Sequence, residues 1–300
     1  MKLYHTHLQE LAEIAAKSAL EAGEYIAGQR SVHHNRIQKK GRNSEASQIV
    51  TSIDYKSQEI ILSHLLSTCA PFDLGLLTEE EREDSTLEGS RLVKDYFWCV
   101  DPLDGTLPFV EGSKGYAVSI ALVNKQGESV LGVVYDPVTN TLYEAIKGLH
   151  CLKNGKKWKL KKLQEGGDFL FASNRSFQKL PSYEPMKKTI YMFAKSLGYR
   201  NVVERQFGGA VMNAIWTIEE APGCYVALPK KQDGGGSIWD FAATSCIFNE
   251  LGISATDCNG NPLLLNDTET TFMNKQGVVF ASSKEIKKSL LQNINTALTL

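Results

Sequence analysis

Two carboxylates, Asp101 and Asp104, flank Pro102 and Leu103 in the stretch Trp98 to Gly112, WCVDPLDGTLPFVEG. They follow an apolar run, and Gly105 and Thr106 come at once after them. A buried strand that ends in Asp, then Pro, then an Asp opening a helix presents its carboxylates where a sheet edge meets solvent, a place where ligands collect. Two nearby carboxylates repel unless a cation sits between them. Oxygen-only donors favour a hard cation, Mg²⁺, Mn²⁺ or Ca²⁺, over zinc. The amides of Gly105 and Thr106 at the helix start would then suit phosphate oxygens. A bare D-x-x-D-G-T admits a plainer interpretation, in which Asp101 ends a strand, Asp104 caps a helix and Gly105 makes the turn.

Other segments bear on that choice. GLLTEEERED places Glu79, Glu80 and Glu81 after an apolar approach, GGGSIWDFAATS places Asp240 at a helix start, and IVTSID ends on Asp54. Each alone reads as a solvated face or a cap. Together they are separate element ends, each carrying Asp or Glu beside an apolar run.

The combination of TEE, WCVDPLDGT and IWDFAAT, in that order, resembles the inositol monophosphatase superfamily. That superfamily also holds the 3'(2'),5'-bisphosphate nucleotidases and is related to fructose-1,6-bisphosphatase. The resemblance runs over nearly the whole chain, from about Leu8 to about Glu285. It implies an α/β (α+β) fold, a layered α/β/α/β/α sandwich, and a phosphomonoesterase that uses two or three Mg²⁺ ions, with Mn²⁺ as a substitute, and is commonly inhibited by lithium.

By the same resemblance Glu79 matches the glutamate on the first metal, Asp101 bridges metals and Leu103 offers its carbonyl, while Asp104 and Asp240 match the second site. Glu80 and Glu81 blur the register around Glu79. Asp54 and Thr106 match the pair that orients and deprotonates the attacking water. RQFGGAVMNAIW resembles the segment whose backbone touches the ligand, which makes Gly208, Gly209 and Ala210 substrate-binding candidates beside Gly105 and Thr106. A close-packed helix start explains those glycines equally well. Asp233 stands where inositol phosphatases carry a glutamate, and PGCYVALP and AAT depart from the family pattern.

No Cys, Ser or His occupies a nucleophile motif, so hydrolysis by metal-activated water is expected, with no covalent intermediate. An inositol monophosphatase-like activity on a small phosphorylated metabolite leads. The alternatives are a bisphosphate nucleotidase acting on 3'-phosphoadenosine 5'-phosphate, toward which IWD leans, and a non-catalytic binding protein that keeps the fold.

The whole chain must support such a site. Its 300 residues are 42% hydrophobic and 22% charged, with net charge -1. Near-neutrality argues against nucleic acid or an anionic membrane as partner. The family includes monomers and dimers, which leaves a homodimer open. Six cysteines without a Cys-x-x-Cys pair suggest free buried thiols. The polar start MKLYHTHLQE is no signal peptide, and no apolar run approaches the roughly 18 residues of a membrane span. A cytoplasmic setting is expected.

The elements that must position the site follow from periodicity. Leu8, Leu11, Ala15, Ala19, Ala22 and Ile26 predict an amphipathic helix to about Gly28. Arg30 to Gln48 reads as a polar, basic loop carrying His33, His34, Lys39, Lys40 and Arg42, and a second helix is predicted from about Tyr55 with Asp54 as N-cap. From Tyr96 to about Leu160 alternation predicts an antiparallel meander that closes in a hairpin at Asn154-Gly155, with its lysines in water. After Phe169 strands and helices alternate: FLFAS, a helix near Pro185 to Leu197, a strand near Val202 and a helix at Ala210 to Glu220. Tyr225 to Leu228, a helix from Ile238 to Leu251, Gly277 to Ser282 and a helix from Lys284 complete the order. Residues 1–170 are expected to form an N-terminal α+β part with most metal ligands, and 171–300 a C-terminal α/β part with Asp240 and the specificity residues.

Overall fold

The apolar set Leu8, Leu11, Ala15, Ala19, Ala22 and Ile26 is buried along one face of helix α1 (His5–Lys40). That face packs against α2 (Ser44–Phe72) and a seven-stranded sheet. The computed structural model describes residues 2–40, 44–80, 89–160, 166–220, 222–234 and 236–298, side chains in 31–40, 44–51 and 295–298 excepted.

The expected loop from Arg30 to Gln48 is not observed, because α1 continues to Lys40 and α2 already begins at Ser44. Between Gly28 and Gly41 the chain has neither Gly nor Pro, and its Gln, Arg and Lys residues are good helix formers. Asp54 therefore lies inside α2, not at its N-cap. Arg42 and the side chains of His33, His34, Lys39 and Lys40 lie outside the described residues.

The first sheet takes its strands in chain order: β1 (Leu74–Thr78), β2 (Tyr96–Asp104), β3 (Ala117–Asn124), β4 (Ser129–Asp136), β5 (Thr141–Ile146), β6 (His150–Lys153) and β7 (Lys156–Lys157). Only β1 and β2 are parallel; from β2 onward the sheet is the predicted antiparallel meander. Its last turn has φ of 49° at Asn154 and 72° at Gly155, the left-handed pair that an Asn-Gly hairpin supplies. Short helices α3 (Ser90–Val93) and α4 (Thr106–Val110) flank β2.

The second sheet contains β8 (Asp168–Ala172), β9 (Asn201–Arg205), β10 (Gly223–Ala227) and β11 (Val278–Ala281), in the order β11-β10-β8-β9. β8 runs parallel to both β9 and β10, and β11 closes antiparallel on β10. Helices α5 (Tyr183–Ser196) and α8 (Lys284–Leu298) cover its outer face. Between the two sheets lie α6 (Ala210–Glu219) and α7 (Ile238–Glu250).

Three buried clusters separate five layers: α1 and α2 on the first sheet, α6 and α7 between the sheets, and α5 and α8 on the second. This is the expected α/β/α/β/α sandwich. All six cysteines are buried and free. Among the described residues no helix is long and apolar enough to cross a membrane.

Candidate active site

Residues three apart on a regular strand point to opposite faces, so Asp101 and Asp104 would diverge in an unbroken β2. The ladder is broken there: Asp101 pairs with Ser119 and Asp104 with Ala117, three steps on β2 against two on β3. That bulge is placed by Pro102, which has no N–H to give the ladder. Ser57 on α2 donates from Oγ to the Pro102 carbonyl at 2.8 Å and fixes the bulge against the helix. One extra residue returns both carboxylates to the same side.

Asp240 arrives from α7. With Asp101 and Asp104 it forms a group whose ligand oxygens all lie within 4.8 Å of one another. Ser237 begins this helix, and its N–H donates to Asp240 Oδ2 at 2.5 Å, the reach-back half of a capping box. Asp104 is held from the other side, accepting the Ala210 N–H on Oδ1 at 3.0 Å and the Val211 N–H on Oδ2 at 2.9 Å. It thus caps α6 from a distant part of the chain. Asp101 Oδ1 accepts the Leu103 N–H at 3.0 Å.

Glu79 follows the end of β1, where its N–H donates to the Val100 carbonyl at 3.1 Å. Its side chain keeps exposed surface while protein packs around the carboxyl. Burial pushes it up to about 7, although a hydrogen bond with Asp101 works the other way. Glu81 lies outside the described residues.

Burial is also the main reason that Asp101 and Asp104 titrate well above the ordinary carboxylate range, with Glu79 next for Asp101 and Asp240 next for Asp104. Asp240 is pushed up to about 6 by burial, against the Ser237 N–H and a hydrogen bond with Asp104. Between Glu79 and Asp101, and between Asp104 and Asp240, a proton or a cation would relieve the repulsion.

Asp54 projects from α2, buried, and burial together with Glu80 and Glu79 pushes it up to about 8. Its Oδ1 has no hydrogen-bond partner. The expected pairing with Thr106 is not formed: the Thr106 hydroxyl turns to the Leu103 carbonyl at 3.5 Å. None of these five carboxylates has a salt-bridge partner among the described residues. Crowded oxygen donors, raised affinity for protons and an orphaned carboxylate oxygen fit divalent-cation binding.

The glycines close the site by contact. Gly105 has φ of 85°, and a Cβ there would lie 2.6 Å from the Gly115 carbonyl oxygen. A Cβ on Gly209 would lie 2.3 Å from Asp104 Oδ2 and 2.6 Å from the Gly105 nitrogen. Gly208 packs against Asn213 and Trp216. These contacts match the close-packing alternative for the segment, and the Ala210 N–H is already taken by Asp104. Asp233 is exposed on the turn before α7, apart from the three-aspartate group. Sequence reasoning did not single out Ser57 or Gly115, which are ordinary residues until the bulge and the glycine contact exist. Ser237 was legible as the first residue of S-x-x-D.

A sequence model of the inositol monophosphatase family matches residues 7–299. The chain is 30% identical over 295 residues to the Nus factor SuhB of Vibrio cholerae, covering 96% of each protein. It is 26% identical to the inositol-1-monophosphatase of Bacillus subtilis, covering 96% of this chain and 97% of that one. The solved structure of inositol monophosphatase-II from Staphylococcus aureus superposes with a TM-score of 0.69 at 21% identity, over 97% of this chain and 99% of that one, a likeness of fold. With a family match across almost all of its length, the chain belongs to the inositol monophosphatase family.

Proposed function

We propose that the protein is a Mg²⁺-dependent phosphomonoesterase that hydrolyses a small phosphorylated metabolite with water as the nucleophile. The observation that carries this reading is the convergence of Asp101, Asp104 and Asp240 within 4.8 Å, from two elements far apart in sequence. Glu79, Asp101, the Leu103 carbonyl, Asp104 and Asp240 would hold the ions. Bound divalent ions there would neutralise the carboxylates, acidify a water and offset charge on the phosphate and the leaving oxygen.

The chain's own groups supply the rest. Asp54, buried and with one oxygen unpartnered, is a base able to take a proton from water once a neighbouring charge lowers its proton affinity. Thr106 can exchange its weak 3.5 Å bond for one to that water. Gly105 and Thr106 supply amides at the start of α4 toward phosphate oxygens, and Gly209 keeps Asp104 in place by leaving room for it. Asp233, on a free turn, would meet the alcohol part of the substrate.

Mg²⁺-dependent phosphate release from myo-inositol 1-phosphate, 3'-phosphoadenosine 5'-phosphate or fructose 1,6-bisphosphate, abolished by chelator, tests the reading. In ¹⁸O water the label should enter phosphate in a single turnover. A trapped phosphoenzyme would overturn the direct mechanism.

A second reading, a binding role without catalysis, draws on the name of the Vibrio cholerae relative, a Nus factor. The full carboxylate set favours the first reading. The net charge of -1 supports a metabolite over a nucleic acid as partner, and the six free thiols support a reducing, cytoplasmic setting. RNA binding at physiological salt by gel shift would count against the first of these.

A further inference from the structure

A cavity of about 750 Å³ lies at the opposite end of α7 from the carboxylate cluster, between the β3–β4 turn, the segment 254–265 and the first turn of α8. That volume falls within the roughly 300–1,000 Å³ of small-molecule sites. Asp240 stands in the first turn of α7 and Glu250 is its last residue, so ten residues of helix, about 15 Å, separate the two places. Ala255, Pro262, Leu263, Leu264 and Leu265 give the cavity an apolar side. Among its exposed residues Lys147 and Glu128 pair at 2.6 Å and neutralise each other.

Two further charges in the lining are not neutralised. Glu250 and Lys287 have no ion-pair partner among the described residues, and although both line one cavity they do not pair with each other. Each also stands against its own helix: Glu250 puts a negative charge on the last residue of α7 and Lys287 a positive charge in the first turn of α8, the reverse of what the helix dipoles favour. Glu250 Oε1 accepts the Gly148 N–H at 2.8 Å and Lys287 Nζ donates to the Ser254 carbonyl at 3.0 Å, which occupies one carboxylate oxygen and one of three ammonium protons. Burial first, then Lys284, holds the Lys287 ammonium below the ordinary lysine range, as befits a cation without a counter-ion. Thr256 adds an independent sign. It is 5% exposed and lines the same cavity, and its Oγ1 has no hydrogen-bond partner. Buried hydroxyls are rarely left unpaired in folded proteins, and a ligand oxygen would supply the partner here.

We infer that this cavity is a second ligand site, separate from the carboxylate cluster, and that it takes a small zwitterion with an apolar tail, of the α-amino acid class. The ligand's carboxylate meets Lys287 Nζ and the Thr256 hydroxyl, its ammonium meets Glu250 Oε2, and its tail lies against the leucines of the segment 263–265. An anion alone would face the unpaired Glu250, and a cation alone would face the unpaired Lys287. A zwitterion answers both charges and relieves both helix ends. The site stands whether or not the phosphatase reading does.

Calorimetric titration of the full chain in chelator, with leucine, methionine and phenylalanine as probes, tests the site without any turnover. Each probe is compared with its two fragments, which for leucine are 4-methylpentanoate (no ammonium) and 3-methylbutylamine (no carboxylate). The amino acid should bind at least about tenfold tighter than either fragment, the worth of one hydrogen bond to a charged group. Glu250→Gln, which keeps an oxygen for the Gly148 N–H, should bring its affinity down to that of the acid fragment, and Lys287→Met to that of the amine. Thr256→Val should weaken binding several-fold with thermal stability equal to or above the parent's, because the hydroxyl it removes has no bond to lose. Asp101→Asn should leave the affinity unchanged. Circular dichroism reports the fold of each variant. Equal affinity for the amino acid and its fragments, binding that survives both Glu250→Gln and Lys287→Met, loss of binding in folded Asp101→Asn, or no saturable binding of any of the three amino acids overturns the inference.

Discussion

Asp54→Asn separates the electrostatics of the site from its packing, because Asn keeps the shape of Asp and cannot ionise. In the folded, metal-free protein Asp54 is pushed from an ordinary 3.8 up to about 8, by burial first and then by Glu80 and Glu79. A carboxyl raised on folding binds more protons in the native state than in the unfolded one, so stability falls as pH rises between those two values. Each pH unit in that window costs about 1.36 kcal/mol. From pH 5 to pH 8 the native protein therefore loses up to about 4 kcal/mol through this group, a loss that the Asn variant escapes. Glu79 and Asp240, raised to about 7 and about 6, add slopes of the same sign in both proteins and largely cancel in the comparison. Urea unfolding at the two pH values, in chelator, gives the difference directly. Asp54→Asn should be the more stable protein at pH 8, by a margin that shrinks toward pH 5. A margin constant with pH, or a variant less stable than the parent at pH 8, would refute the placement of Asp54 as a buried, unneutralised carboxylate. Mg²⁺ should flatten the parent's pH dependence, since metal binding favours the ionised ligands around it.

Asp101→Asn should reduce turnover by more than the roughly 10- to 100-fold typical of outer-shell partners, with metal-free stability equal to or above that of the parent because carboxylate repulsion is relieved. Normal activity at saturating Mg²⁺ would contradict the ligand assignment. Gly209→Ala places a methyl where only 2.3 Å separates it from Asp104 Oδ2, and should destabilise the fold by about 1–3 kcal/mol and weaken Mg²⁺ binding together. Unchanged denaturation and Mg²⁺ titration would refute the close contact. Mg²⁺ at a hundred times its Kd should stabilise the protein by about 2.7 kcal/mol in thermal unfolding, and Asp240→Asn should remove most of that gain.

The legible parts of the site were those carried by local pattern. The strand running into Asp101, the helix start at Ile238 that carries Asp240 and the alternation of the meander all have short-range signals, and they appear where the sequence places them. Asp54 shows the limit. A polar, basic stretch reads as loop, but helix propensity without a Gly or Pro stop carries α1 to Lys40, and α2 passes through Asp54 instead of starting there. The glycines were visible as residues but not as contacts. Whether Gly209 touches a ligand or makes room for Asp104 depends on two segments about a hundred residues apart meeting edge to edge, which no local pattern records.

The carboxylates are held in place by neutral donors, and that choice has a chemical consequence. The amides of Leu103, Ala210, Val211 and Ser237 fix Asp101, Asp104 and Asp240, where a lysine or arginine would have fixed them more strongly. A paired cation would also have neutralised the cluster and left it little affinity for Mg²⁺. Amides orient the oxygens while leaving most of their charge uncompensated, so the repulsion persists in the folded metal-free protein and is relieved only by a proton or a metal ion. The same N–H groups are anchored in α6, α7 and the bulge of β2, elements buried in the layer between the sheets or on the first sheet itself. Binding of divalent ions and stability of the fold are therefore linked through the same few hydrogen bonds. A change that loosens α6 at Ala210 should weaken metal affinity even though it removes no ligand.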